Sequence, residues 1–391
     1  MSRGMAIRVV IVDDSPFTRE VLRDALSRYP DIDVVGEACD GRRAKAMVAE
    51  LRPDVVTMDV IMPMVGGLDA IKAIMAQCPT SIIVVSDLEA DSDRMSMRAV
   101  EAGAIDTFAK PSTGFDRDAA DRLADLIRTA AQVMVKRRPD VPVRNAKRSS
   151  YGVERPGDQP FDSSASSPPA SNSGFVWQRV RRIEFVGIVA STGGPQTLRR
   201  LMARLAECPN SKSGTSGRSA PHLAPERCFP PMALVQHTSV GFAQPFTSWL
   251  AGVSGISIEL AREGRRIPPG TIAVAPDDVH LEIRPGGIAH LHRGPKLASH
   301  RPSGTLLLRS LATSFGAHAA GVVLTGMGDD GADGALAIEQ HQGVVFVEDP
   351  KTAILEGMPR ATLKRTKKAI VAPVEEIGRL LLSESEGQGT R

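Results

Sequence analysis

Cysteine is scarce in this 391-residue chain, and its four copies, Cys39, Cys78, Cys208 and Cys228, are scattered. They form no CxxC pair and have no histidine at metal-ligand spacing. That pattern excludes a zinc ribbon or a disulfide framework and fits idle thiols in a reducing compartment. No run of about 18 apolar residues occurs, so no membrane insertion is expected. The N-terminus, MSRGMAIR, has no apolar signal core and leads straight into a strand-like run, so a cytoplasmic protein is expected. Net charge is only +3 and aromatics make up 4%, with no interleaving of basic and aromatic residues. Nucleic-acid binding therefore finds no support. What remains is a soluble globular composition, 42% hydrophobic and 24% charged, at a length that fits two or three domains of ~100–200 residues.

The first part of the chain alternates apolar strands with amphipathic helices. Strands are expected at 7–12, 33–37, 55–58, 82–85 and 107–109, with helices between them such as 42–51 and 93–102. Such alternation predicts a parallel sheet covered on both faces, a flavodoxin-like doubly wound α/β domain. Residues 136–173 then turn rich in Arg, Lys, Pro, Ser and Gly, including SSASSPPASNSG, and cannot bury enough surface to fold alone. They read as a linker, whose basic start (Lys136, Arg137, Arg138, Arg144, Lys147, Arg148) is a solvated spacer or an interaction tail.

A second α/β domain begins near residue 181. Strands are expected at 185–190, 232–236, 257–260, 271–275, 280–283, 288–292, 321–324 and 344–347, the fifth and sixth forming an antiparallel hairpin. Helices are expected at 197–206, 306–314 and 332–340. A Ser/Gly/Pro-rich stretch, 209–231, interrupts this domain as a surface insertion. No internal repeats are visible.

In the first domain, Asp13 and Asp14 end the first strand and Asp59 ends the third. Ligands of a parallel doubly wound sheet sit outside the carboxyl ends of its strands, so these carboxylates converge in one cleft. Clustered carboxylates repel, which calls for raised pKa values or a bound divalent cation; oxygen-only ligands favour Mg2+. Ser86 after strand four and Lys110 after strand five stand where they would hold a phosphoryl group on Asp59. The set VDDS, MDVIMP, VVSD and AKP resembles the receiver domain of two-component response regulators over residues 5–130. That resemblance implies that Asp59 accepts phosphate from a histidine kinase. It implies Mg2+ held by Asp14, Asp59 and the carbonyl of Ile61, with Asp13 acting through water, and phosphate sensing by Ser86 and Lys110. One departure is visible: Thr107 occupies the place of the usual aromatic switch residue.

In the second domain, FVGIVASTGGP reads as a buried strand, then Ser191, then a Gly-rich turn into a helix. Backbone N–H groups and the helix N-terminus there favour an anion. Alone, such a turn binds phosphate as readily as it catalyses; STGG lacks the GxGxxG spacing of a dinucleotide site. Two further strands end in what a serine nucleophile requires: MALVQH in His237, and GVVLTGMGDDG in Asp329 and Asp330. The chain order Ser…His…Asp and the missing GxSxG exclude the common α/β-hydrolase fold. The remaining histidines (His222, His280, His290, His292, His300, His318, His341) are expected in loop or surface roles.

The motifs VASTGGP, VQHTSVGF, IAVAPDDVHL, HRPSG, LTGMGDDGADG and EGMPR together resemble the catalytic domain of chemotaxis protein-glutamate methylesterases. The resemblance implies a catalytic domain at 181–380, a linker at 131–180, and Ser191 as nucleophile, His237 as base and Asp330 as acid. Thr192 and the N–H of Met327 would help form the oxyanion site, and the hydrolase would need no cofactor. The implied substrates are γ-glutamyl methyl esters on methyl-accepting chemotaxis receptors, with deamidation of receptor glutamines by the same route. A monomer is expected. TSV after His237 and the choice between Asp329 and Asp330 depart from the family pattern or are left open by it. Other readings are a catalytically idle response regulator acting as a binding module, and an esterase in a non-motility chemosensory pathway.

Overall fold

The computed structural model describes residues 6–62, 66–87, 90–111, 114–133, 182–207, 229–297 and 300–386. The expected basic linker, most of the 209–231 insertion, Cys208, Cys228 and His222 lie outside the described residues. Among the described residues no helix is long and apolar enough to cross a membrane.

The first unit runs β1 (Ile7–Val12), α1 (Pro16–Leu26), β2 (Ile32–Ala38), α2 (Gly41–Leu51), β3 (Val55–Met58), α3 (Gly67–Gln77), β4 (Ser81–Ser86), α4 (Ala90–Ala102), β5 (Asp106–Ala109) and α5 (Arg117–Ala131). Local chemistry sets several boundaries. Ser15 caps α1 by accepting from Thr18 N ahead of Pro16, and Asp40 accepts from Arg42 N and Arg43 N at the start of α2. The strands pair in parallel in the order β2-β1-β3-β4-β5. Alternate residues feed opposite cores. Val10 and Val12 join one cluster, with Ile71 and Ile74. Val9 and Ile11 join the other, with Leu123 and Ile127. The order reverses between β1 and β3, so their carboxyl ends frame the crevice that holds Asp13, Asp14 and Asp59.

The second unit comprises β6 (Phe185–Ala190), α6 (Gly194–Leu205), β7 (Met232–Gln236), α7 (Ala243–Ser254), β8 (Ser257–Leu260), β9 (Thr271–Val274), β10 (His280–Arg284), β11 (Ile288–His292), α8 (Gly304–Phe315), β12 (Ala319–Val323), α9 (Ala332–Gln340), β13 (Val344–Glu348), α10 (Gly357–Arg365), β14 (Ile370–Ala372) and α11 (Val374–Glu386). Seven strands order as β14-β13-β12-β6-β7-β9-β8, with every pairing parallel. β10 and β11 form the expected hairpin, with Leu281 opposite Leu291. β6 is the first strand of this unit and sits mid-sheet; later strands fill both sides of it. The crevice at its carboxyl end is thus the switch point of the sheet, and Ser191 stands there. Val186 and Ile188 face a core with Leu198 and Phe246, while Phe185 and Val189 face one with Leu308 and Leu311.

The two units pack together. Met97 of α4 is 3% exposed and belongs to the core cluster of α6, α7 and α11. Trp249 Nε1 of α7 donates to Glu101 Oε1 at 2.8 Å, and Gln196 Nε2 of α6 donates to the Ala104 carbonyl at 2.7 Å.

Candidate active site and phosphoacceptor site

Asp13, Asp14 and Asp59 each present a carboxylate oxygen, all within 4.8 Å of one another. Asp13 and Asp59 are buried, Asp14 exposed. Lys110 Nζ donates to Asp59 Oδ2 at 2.6 Å and lies 2.8 Å from Asp13 Oδ2 as an ion pair off the ideal hydrogen-bond direction. Burial raises the pKa of Asp59, with Lys110 pulling it the other way. Burial also opposes the Lys110 charge, but the Asp13 and Asp59 carboxylates outweigh it and hold the ammonium protonated. Gly67 starts α3 against this corner; a Cβ there would lie 2.0 Å from the Asp59 carbonyl oxygen, so only glycine fits. Ser86 is buried, and its Oγ is 2.8 Å from Ser96 Oγ on α4.

In the second unit, β12, β6 and β7 are neighbours, so the segments that follow them meet. Ser191 N donates to Thr325 O at 3.0 Å, and His237 N donates to Ala190 O at 3.1 Å, locking the three strand ends together. Gly193 turns the chain with φ +78, a left-handed conformation in which a Cβ would also strike Ile354 at 2.8 Å. Beneath the turn, Gln236 Nε2 donates to Ser191 O and His237 O at 2.9 Å each.

His237 Nε2 is 2.9 Å from Asp330 Oδ2. Asp330 is 3% exposed, yet fully served: Ser303 Oγ and Thr305 N donate to Oδ1 at 2.9 Å, Gly304 N to Oδ2 at 2.7 Å, and Gly331 N to Oδ1 at 2.9 Å. Burial alone would raise its pKa, but His237 and the Thr305 bonds reverse the sign and hold it well below the usual carboxylate range. An ionised Asp330 accepts only, so Nε2 of His237 carries the proton and Nδ1 is the bare, basic nitrogen. Nδ1 is buried and has no hydrogen-bond partner. Asp330, not Asp329, meets the histidine; Asp329 turns outward to Arg365 at 2.9 Å.

Several neighbours of this site were not legible as such. His300, expected in a loop or surface role, stacks flat on His237, centroids 4.0 Å apart and planes within 3°. Burial and then the His237 charge lower its pKa to about 4. His280 is fully buried, its Nδ1 accepting from Ser303 N at 3.2 Å. Asp106, at the start of β5 in the first unit, is buried against the second. Its carboxyl is pushed up to about 7 by burial, which the Thr107 amide and the Thr192 side chain partly offset through hydrogen bonds. Thr192, expected at the oxyanion position, therefore touches the first unit. So does Met327, whose Sδ accepts from Thr129 Oγ1 at 2.9 Å. Ser239, two residues after His237, donates to the carbonyl of Thr107 at 3.3 Å, so the switch-position threonine lies in the contact between units. A cavity of about 940 Å³ lies along this contact, lined by Ile105 and Gln132 on one side and by Gln196, Met327, Lys351 and Ile354 on the other.

Residues 9–118 match the response regulator receiver domain family, and residues 219–381 match the CheB methylesterase family. Among similar proteins, "Protein-glutamate methylesterase/protein-glutamine glutaminase 3" of Anaeromyxobacter dehalogenans is 36% identical over 96% of this chain and 98% of its own. A protein-glutamate methylesterase/protein-glutamine glutaminase of Pyrococcus abyssi is 35% identical over 96% of this chain and 92% of its own. The crystal structure of the Thermotoga maritima CheB methylesterase catalytic domain shares 27% identity and a TM-score of 0.45, covering 51% of this chain and 98% of that one. With relatives this similar over nearly the full length and the two domain matches in succession, the chain belongs to the CheB family, a receiver domain followed by a methylesterase domain.

Proposed function

We propose that this protein is a phosphorylation-controlled serine esterase that hydrolyses glutamyl methyl esters on methyl-accepting chemotaxis receptors, and releases ammonia from receptor glutamines by the same route. The observation that carries the residue assignment is the His237–Asp330 pair with the unpartnered Nδ1, set on the strand next to Ser191.

The reading gives each group one task. Ser191 Oγ attacks the ester carbonyl as His237 Nδ1 takes the serine proton. Asp330 stabilises the imidazolium formed. The tetrahedral oxyanion needs donors other than the Ser191 N–H, which Thr325 O already occupies; the Thr192 segment and the Met327 N–H supply them. Collapse expels methoxide, protonated to methanol by His237. Water, deprotonated by the same imidazole, then cleaves the acyl-enzyme and leaves a glutamate carboxylate on the receptor. A side-chain amide follows the same steps with ammonia leaving.

Regulation comes from the receiver. Asp59 accepts a phosphoryl group from a chemotaxis histidine kinase, and Ser86 and Lys110 hold its oxygens. The three clustered carboxylates fit Mg2+, held by Asp14, Asp59 and the Ile61 carbonyl with Asp13 through water; bound there it would neutralise charge during phosphoryl transfer. Asp106, Thr107 and Thr129 of the receiver reach the rim of the esterase site at Thr192, Ser239 and Met327. The receiver thus obstructs the site, and phosphorylation shifts the balance toward an open arrangement.

The test is methanol release from methylated receptor membranes, with and without acetyl phosphate and Mg2+. Ser191→Ala is expected to lose all but about 0.1% of the wild-type rate while still taking phosphate on Asp59. A variant that still demethylates receptors at the wild-type rate sinks the reading.

A further inference from the structure

One hydrogen bond fixes a direction but not a plane. His237 is held at Nε2 by Asp330, and nothing bonds to its other ring nitrogen. The ring would be free to turn about the line to Asp330, carrying Nδ1 away from the strand end where Ser191 stands. A second ring lying flat against it removes that freedom.

We propose that His300 is a positioning residue: its imidazole, stacked on that of His237, holds the ring in the plane in which Nε2 meets Asp330 and Nδ1 turns toward Ser191. The inference rests on the triad proposed above and assigns to it a fourth side chain. The stack is close and parallel, 4.0 Å and 3°. The stretch that follows His300 is itself anchored at two places. Arg301 donates to Asp278 Oδ1 from Nε and Nη2, at 2.9 and 2.6 Å, and to Gly294 O from Nη1, at 2.9 Å. Ser303, Gly304 and Thr305 donate to Asp330. One short stretch therefore binds the acid and backs the base, so the two cannot drift apart independently.

The charges around His300 suit this task. Asp330, Asp329, Lys296 and His237 face it. Burial and the neighbouring His237 keep it neutral to about pH 4. A neutral ring neither repels the imidazolium that forms on His237 nor competes for Asp330, and its π face is attractive to a cation.

The experiment uses the full chain with Mg2+ and acetyl phosphate, following methanol release from methylated receptor membranes. His300→Ala is expected to lower kcat on the order of tenfold with KM unchanged, because a loosened base misplaces the proton acceptor. His300→Phe keeps a flat ring and is expected to recover kcat to within about threefold of wild type. It should also retain a single-proton acid limb in the kcat/KM profile. Wild-type kcat in His300→Ala overturns the proposal. So does His300→Phe being as inactive as Ser191→Ala, which would make His300 a proton carrier, and so does a change in KM alone, which would make it a substrate contact. If His300→Ala fails to fold, the His300→Phe result decides. Activity in Ser191→Ala would instead bring down the triad, a separate failure.

Discussion

Two crevices at the carboxyl ends of two parallel sheets do opposite things with buried negative charge. In the receiver, Asp13 and Asp59 share the Lys110 ammonium, and burial raises the Asp59 pKa. In the esterase, Asp330 is buried more completely than Asp59, yet backbone and side-chain donors from Ser303, Gly304, Thr305 and Gly331, with His237, keep it ionised. The first gathers three carboxylates around one ammonium, an arrangement suited to the proposed cation and phosphoryl group. The second is a finished electrostatic device that need not reorganise during reaction. A switch has to be incomplete before its signal arrives, whereas a catalytic site gains by being complete beforehand.

The comparison breaks most visibly at Asp330. Asp330→Asn presents an amide to donors that expect a carboxylate and reverses the tautomer of His237. A fall in kcat of about 10⁴-fold is expected, and denaturant melts should show a loss of about 1–3 kcal/mol from the mismatched hydrogen bonds. Asp59→Asn leaves the esterase site untouched and removes the proposed acceptor. If phosphodonor stimulates the wild type about tenfold, a shift of roughly 1.4 kcal/mol between arrangements, the variant should show none, read by paired assays with and without acetyl phosphate. The smallest effect is expected at Asp106, which joins the two regions. Its pKa is raised from the ordinary 3.8 to about 7 where it meets Thr192. The packed arrangement therefore binds a proton that a released receiver gives up. Its stability is fullest below about pH 4, declines as pH rises toward about 7, and stays at its lowest above that. Asp106→Asn removes the titration. Its unstimulated esterase rate should fall a few-fold below wild type at about pH 8 and converge on it at lower pH; a pH-independent ratio would disprove the linkage.

Much of this was legible because parallel α/β sheets write their chemistry at strand ends. VDDS, MDV, AKP, VAST and VQH each announce a residue at a carboxyl edge, and β1, β3, β6, β7, β8 and β11 have the expected bounds. Short or interrupted elements were less legible. β14 spans three residues, too few for a periodicity. α7 carries Pro245 in its first turn and Gly252 near its end, which blunts a helical signal. The exchange of β8 and β9 at the sheet edge leaves no trace in composition. His300 lies inside HRPSG, yet nothing local says that its ring covers His237, because that contact spans two loops distant in sequence. Asp106 falls just ahead of the expected strand 107–109, and nothing marks it until the other domain is packed against it. Pattern reading finds what one sheet edge gathers; it does not find what two domains share.

The placement of Met97 bears on how this enzyme is restrained. A receiver side chain buried in the hydrophobic core of the esterase makes the contact between the two units partly an oily one. Dissolved salt screens ion pairs but has little hold on such a contact. Apolar burial weakens on cooling. If the receiver restrains the esterase as proposed, the resting output of the enzyme should follow the warmth of its surroundings more than their ionic strength, with weaker restraint in the cold.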